Sequence, residues 1–484
     1  MIKYFSLYLT RSLYLLVLRL SFSRNKYENF KDLNFKQSDF TNYKNIKHYV
    51  LKEGFVNNIS LFDIHTFNFL FFYQKLGGKK GIELSKKNIF LWFKKYKYYR
   101  NFPWTNNYSS KRLINIIYNY DFICSISNLK EKKLINYILN FHIKRIIFET
   151  NRKKMEDTSS SEILALVLID CSKQKISMNT ISKIKNIINL QLDNSSMHKS
   201  YNILEHSKFL NNLIEIKNIF LFLNIKIPEV LNNSVLAMTS LLKLYEHDDS
   251  SLPLFNGCNN NHNATIKNIF EKEQFLKNNP LTKFKNGISA YKDSNKVLFF
   301  DVVQPTIYGF HKELSAGTLA IEISAKGEKI ITNCGGTEAS GKNPAYLKYS
   351  AAHSTIIINN TNISEIKEGA VNKTFPKEVV FESKEEEEVD ILSGTHNGYL
   401  KNYRKICKRE LFIYKKRNLL RGRDTIISTK SNIEKTVYHI RFHLMPGIST
   451  TVTENKKNII IKTPKNNIWM FKSNNQILIE NSIY

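Results

Sequence analysis

Apolar residues recur every three or four positions through the first half of the chain and in short runs through the second. Phe209, Leu213, Ile216 and Phe220 keep helical spacing, as do Leu134, Ile138 and Phe141. Leu231, Val235, Met238 and Leu242 continue it up to Tyr245. A period near 3.6 predicts amphipathic helices. From Val297 onward the runs are short and β-branched: Val297–Val303, Ile356–Ile358, Val379–Phe381, Val437–Phe442 and Ile459–Ile461. Polar turns between them predict antiparallel strands. Thr318–Ser324 and Lys329–Asn333 flank Lys326-Gly327, a tight hairpin signal. A long Gly/Asn/Pro-rich loop then leads through His353-Ser354-Thr355 into Ile356–Ile358. A histidine entering a strand from such a loop stands where chemistry is often found.

Glycine and proline sharpen the division. Only four of 17 glycines and two of nine prolines precede residue 250. Breakers are therefore sparse in a helical first half and common in a β second half. The polar stretch His247–Asn263 marks the transition, and Glu385–Glu388 reads as a solvated loop between strands. No sequence repeat stands out.

The chain's 484 residues suffice for two or three domains, and 42% hydrophobic content builds real cores. Its net charge of +30 attracts polyanions, whether nucleic acid, anionic lipid or acidic polysaccharide. The Lys, Asn and Ile bias of an AT-rich coding sequence explains the same surplus. The lysines are scattered, with no basic tail and no nucleic-acid motif, so nucleic acid is not expected as a partner. Five cysteines lie far apart without a CxxC pair, which argues against a disulfide framework and a cysteine zinc site. Tyr4–Phe22 is apolar but interrupted by Arg11 and Arg19. An amphipathic helix fits it better than a signal peptide or a spanning segment, and would give peripheral membrane contact.

Several motifs, in a shared order, carry a family resemblance. Leu314–Ser364 is similar to the AGxLSFEL, VxxG and YFRxTAAHNT segments of heparinase II/III-type polysaccharide lyases. Ile64–Leu70 resembles LHxFDWL, and Pro103-Trp104 with Ser110-Lys111-Arg112 and Asn115 resembles WxPYxxSxRxxNW. His247–Gly257 is similar to HGDGGLALFNG, Thr395–Tyr399 to HxGY, and Arg441–Leu444 to RFHL.

The resemblance implies an α+β multidomain chain, an N-terminal (α/α) toroid followed by a C-terminal antiparallel β-sandwich. The expected division is 1–40, an amphipathic segment; 41–250, the toroid; 251–290, a linker; and 291–484, the sandwich. The implied activity is β-elimination on an acidic, uronic-acid-containing polysaccharide. Removing the C5 proton beside a carboxylate makes a dianionic intermediate, so a site must neutralise the carboxylate and supply a base and an acid. No carboxylate pair of the kind used in glycoside hydrolysis stands out.

His353 matches the histidine of AAHNT and is the first catalytic candidate, a backbone-bonded structural histidine being its alternative. Tyr346 matches the motif's tyrosine, as proton donor or as packing group, and Lys348 stands where the motif has Arg. Arg112 is a carboxylate clamp or an ordinary helix-surface arginine. His396 and Tyr399 line a cleft or form a turn; His65 and Trp104 form a sugar-stacking wall or part of a core. The family's DGGHxSR becomes Asp193–Lys199, with Ser196 in the histidine's place and His198 two residues on. Ser315 replaces a histidine before AGTL, and Cys407-Lys408-Arg409 replaces HxR. These departures support the alternative of a weakened or inactive glycan-binding protein on the same fold. No cofactor and no metal site is expected, since no spacing specifies a structural zinc. The family points to the cell envelope or periplasm, with the cytoplasm as the alternative; oligomeric state is left open.

Overall fold

The computed structural model describes residues 13–14, 61–259, 263–273, 287–305, 310, 314–336, 345–367, 370–429 and 436–482. The expectations for 1–40 therefore lie outside the described residues, except at Leu13 and Tyr14; Tyr14 stacks on Phe148 and donates to the Lys144 carbonyl. Those for 251–290 lie outside at 260–262 and 274–286. The chain divides into two units, Met1–Gln191 with Phe209–Val235, and Leu192–Lys208 with Leu236–Tyr484.

The first unit is helical. Its described helices are α1 (Leu61–Thr66), α2 (Phe69–Leu76), α3 (Gly78–Tyr96), α4 (Asn106–Tyr118), α5 (Tyr120–Cys124), α6 (Leu129–Arg152), α7 (Ser160–Cys171) and α8 (Met178–Gln191). The chain continues through α9 (Ile203–Phe222) and α10 (Glu229–Leu244). Every residue from Ser161 to Cys171 is buried, as expected for a helix apolar on all sides. Capping boxes start two helices: Asn128 with Glu131 on α6, and Ser159 with Glu162 on α7. The predicted stripes Phe209–Phe220 and Leu231–Leu242 are fully inside. On α6, Ile138 and Phe141 are buried but Leu134 is exposed, because the buried face runs through Ile135, Leu139 and Ile146.

After helix α11 (Asn263–Lys272), the second unit consists of antiparallel sheets. The first holds β1 (Gly287–Lys292), β2 (Lys296–Val302), β3 (Ile321–Ala325), β4 (Glu328–Thr332) and β13 (His443–Leu444). Lys326 and Gly327 have φ of 52° and 71°, the paired left-handed residues of a two-residue hairpin that suits strand twist. The second sheet runs β11 (Leu420–Ser428), β10 (Lys405–Tyr414), β9 (Val389–His396), β8 (Val379–Glu385). The acidic run ends β8 and turns into β9. The remaining strands make three small sheets: β5 (Ile356–Ile358) with β12 (Tyr438–Ile440), β6 (Glu365–Lys367) with β7 (Ala370–Thr374), and β14 (Ser449–Val452), β15 (Asn458–Lys462) and β16 (Ile468–Lys472). The run Val437–Phe442 is thus split between sheets.

Alternation along β9 and β10 turns Leu392, Leu411 and Ile413 inward, where they pack with Leu298, Phe300, Val302 and Ile321 of the first sheet and Ile459 and Ile461 of β15. Burying each such side chain contributes roughly 1.5–3 kcal/mol. At Gly394 a β-carbon would stand 2.5 Å from Leu319 and 2.8 Å from Phe300, so this close approach requires glycine.

A polar knot closes the first sheet. The fully buried Glu322 accepts from Lys329 (3.0 Å), His247 Nε2 (3.0 Å) and the backbone N–H of Leu254 (2.9 Å) and Asn333 (3.1 Å). Burial opposes its ionisation, but Lys329, His247 and the backbone donors outweigh it and hold the carboxyl at about 2. Removing one partner of such a pair strands a buried charge. Glu322→Ala should therefore destabilise the β unit by about 3–5 kcal/mol, read from the urea midpoint; a loss under about 1 kcal/mol would show the knot to be dispensable.

Candidate functional site around the Ser315–Gly317 segment

Three consecutive residues, Ser315, Ala316 and Gly317, gather the polar loops of the β unit. The Ser315 N–H donates to Asn256 Oδ1 (3.0 Å), and Asn256 Nδ2 donates to the Tyr201 carbonyl (3.3 Å). This ties Tyr201, just after the Asp193–Lys199 segment, and the 247–257 stretch to one place. Ala316 N–H donates to the Lys348 carbonyl (2.8 Å), and Ser350 Oγ to the Ala316 carbonyl (2.7 Å). The turn carrying Tyr346 and Lys348 is thereby fixed to the same segment. At Gly317 the His353 ring lies so close that a β-carbon would stand 2.9 Å from its Cγ.

His353 is 1% exposed, and among the described residues neither ring nitrogen has a hydrogen-bond partner. Burial first, then the neighbouring His443, push its pKa down to about 3, so the imidazole is neutral at any ordinary pH. A buried imidazole with an unused N–H and an unused lone pair is unusual, since buried polar groups nearly always bond. The backbone around it is fully bonded: Ser354 Oγ reaches the Thr332 carbonyl, Thr355 Oγ1 the Thr318 carbonyl, and Arg409 the Ser354 and Leu319 carbonyls. Arg409 is itself fixed bidentately by Asp424 at 2.7 and 3.0 Å. The strand entry is rigid while the imidazole it carries is uncommitted, so the backbone-bonded alternative for His353 does not hold.

His247, His443 and His198 of this unit are engaged. His247 offers Nε2–H to Glu322, which can only accept, so Nδ1 accepts from Ser324 Oγ (2.9 Å). His443 Nε2 meets the Ala351 carbonyl (2.9 Å), and its Nδ1 meets Ser482 Oγ (3.0 Å). His198 bonds Ser200 Oγ through Nδ1 (2.8 Å) and packs edge-on against Phe310; burial and then His206 lower its pKa to about 4.

The remaining candidates separate by exposure. Tyr346 is 49% exposed and Lys348 partly so, which leaves their side chains at the surface beside the fixed turn. The cleft-lining alternative for Thr395–Tyr399 gives way to the turn: His396 accepts from Gly398 N–H (3.1 Å), and Tyr399 is core, with its hydroxyl on the Thr361 carbonyl (3.0 Å). In the helical unit Arg112 is neither a surface group nor a clamp. It is fully buried, donates to His142 Nε2 (2.8 Å) and to the His65 and Pro103 carbonyls, and its guanidinium lies 3.9 Å from the Trp92 ring and 4.5 Å from that of Trp104. Trp104 is 1% exposed and donates to the Tyr96 carbonyl, so it belongs to the core. His65 is also buried, accepting from Trp92 Nε1 (2.9 Å).

Glu322, Asn256 and Gly317 went unselected from the sequence. Glu322 alone left a local signal, an acid between Ile321 and Ile323 in a short strand. Among the described residues, no group of three or more His, Cys, Asp or Glu is placed to hold a metal, and no helix is long and apolar enough to cross a membrane.

Residues 279–484 match the heparinase II/III-like C-terminal family model. Solved structures extend the likeness. A heparinase III superposes with a TM-score of 0.68 at 13% identity, over 95% of this chain and 81% of its own. A second heparinase III gives 0.62 at 13%, over 93% and 78%. The heparan sulfate lyase HepC from Pedobacter heparinus gives 0.56 at 14%, over 86% and 69%. At such identities the likeness establishes the fold, a helical N-terminal region with C-terminal antiparallel sheets. No curated protein matches the chain by sequence.

The buried histidines make stability fall in acid. His198 and His247 have pKa values lowered to about 4, His353 and His396 to about 3, all principally by burial. Below the ordinary value near 6.5 the unfolded chain binds protons that the folded chain refuses. Stability is therefore full above that value and declines towards the folded values, by about 1.4 kcal/mol per pH unit for each histidine. Replacing His353 with Phe should flatten the urea-midpoint profile between pH 6 and 4; an unchanged slope would mean that His353 is protonated in the folded protein.

Proposed function

We propose that this chain is a polysaccharide lyase that cleaves an acidic, uronic-acid-containing polysaccharide by β-elimination. The carrying observation is the His353 imidazole, held by a fully bonded strand entry with both nitrogens unused. The heparinase-type fold supports the reading; the substrate is a glycosaminoglycan or an alginate-like polymer, and the named activity of the Pedobacter lyase favours the former. In the reaction the C5 proton passes to a base, the C4–O bond breaks to leave a C4=C5 double bond, and the leaving oxygen takes a proton. Tyr346 and His353 are the proposed proton-transfer groups, with Lys348 and His198 directed to the substrate carboxylate. The proposal includes the finer architecture: an (α/α) toroid over 41–250, a linker over 251–290 and a β-sandwich over 291–484. It also takes in peripheral membrane contact through 1–40 and a place in the cell envelope or periplasm, with the cytoplasm as the alternative.

One observation favours a second reading. His353 is enclosed, and Ser196 and Ser315 stand where relatives carry histidines, as in a glycan-binding protein of weakened or lost activity. A panel of heparan sulfate, alginate and polygalacturonate, assayed for ultraviolet-absorbing unsaturated ends, separates the two. Under the lyase reading His353→Ala and Tyr346→Phe each lower the rate by about a hundredfold or more, while the exposed His439→Ala is unaffected. Equal rates for His353→Ala and the parent protein would remove the assignment; binding without product from the parent selects the second reading.

A further inference from the structure

The helical unit carries an exposed aromatic surface that Trp104, buried beneath, cannot itself provide. Its rings touch in sequence. Phe62 lies 5.8 Å from Tyr108, Tyr108 lies 5.4 Å from Phe102, and Tyr96 lies 5.2 Å from Tyr99. The buried His65 joins the two groups, edge-on to Phe102 at 4.7 Å and to Tyr96 at 5.0 Å. Phe102 is 44% exposed and Tyr99 47%, while Phe62, Tyr96 and Tyr108 are half-buried. Such rings at the surface of a unit with its own core are not there for that core, and contiguous exposed apolar patches usually mark a binding surface.

Cations accompany the rings. The Lys95 ammonium lies 5.0 Å from the Tyr96 ring centre; that of Lys97 lies 4.7 Å from the ring of the exposed Tyr98, the sequence neighbour of Tyr99, and 5.9 Å from that of Phe93. Among the described residues no carboxylate forms an ion pair with either lysine, so their charge is available to an anion.

We propose that this surface is a stacking site for an acidic sugar chain, with Tyr99 and Phe102 against pyranose faces and Lys95 and Lys97 on carboxylates. Sugar rings offer C–H-rich faces to aromatic π-clouds and hydroxyl edges to water, and a uronate adds the charge that the lysines complement. A neutral glycan would leave the lysines unmatched. The inference deepens the acidic-polysaccharide reading above and rests on it, but it concerns binding rather than cleavage.

The test uses the full chain carrying His353→Ala, so that the polymer survives, in gels containing polygalacturonate, alginate or heparan sulfate. Retardation by at least one of the three is expected. Tyr99→Ala and Phe102→Ala should each weaken it about tenfold, and Lys95→Glu combined with Lys97→Glu should weaken it further and reduce its salt dependence. Both aromatic side chains are exposed, and Tyr99→Ala and the lysine pair keep the test open should Phe102→Ala fail to fold. Retardation unchanged in Tyr99→Ala and in the lysine variant overturns the proposal, as does binding to anionic phospholipid vesicles without binding to any polymer. The parent protein's cleavage assay reports separately. Loss of retardation in the variants with no cleavage by the parent keeps the stacking site and rejects the lyase; cleavage with unchanged retardation does the reverse.

Discussion

A single ionised carboxylate inside the β unit sets the terms for its polar interior. Glu322 is surrounded by donors from β4, from the residue after it and from the 247–254 loop, which together offset the cost of burying its charge. Asn333, fixed by Glu322 through Nδ2, turns its Oδ1 to the Ser354 N–H at 2.8 Å. The backbone next to the histidine is therefore tied to the buried charge through two hydrogen bonds. Apolar burial makes these sheets stable, and the carboxylate makes their loops meet in one arrangement.

The helical unit solves a related problem differently. Arg112 has no carboxylate among its partners; aromatic faces, a neutral histidine and two carbonyls surround it instead. His142 serves as acceptor because its Nδ1–H is directed to the Ile138 carbonyl, which leaves Nε2 bare. Burial and the nearby Arg145 push the Arg112 pKa down, yet a guanidinium stays charged in any protein and tolerates such surroundings better than an ammonium would. A cation fixed in this way acts as packing material.

What the sequence made legible was local. Helical stripes such as Phe209–Phe220 and the Lys326-Gly327 hairpin depend on neighbours a few residues away, and they appear as expected. The family motifs placed His353 at its strand entry and predicted the order of helices before sheets. They did not reveal depth. Arg112, Trp104 and Tyr399 have the residue types of a sugar-binding cleft and are core, because a motif records identity and not the side from which neighbours pack. Glu322 and Asn256 remained hidden for the opposite reason: their partners lie up to 75 and 59 residues away, beyond any spacing rule.

The Ser315–Gly317 segment also bears on how such a protein can change. Three successive residues bind the loop before them, the turn after them and the ring of His353, so a substitution in this backbone junction is pleiotropic. It shifts several surfaces together and leaves selection little room. Tyr346 and Lys348 differ, because their main chain is anchored while their side chains are exposed and partly exposed. On the function proposed above, ligand preference can therefore drift at those two positions without disturbing the frame that presents them. A fold shared at 13% identity can diverge in what it recognises by that route.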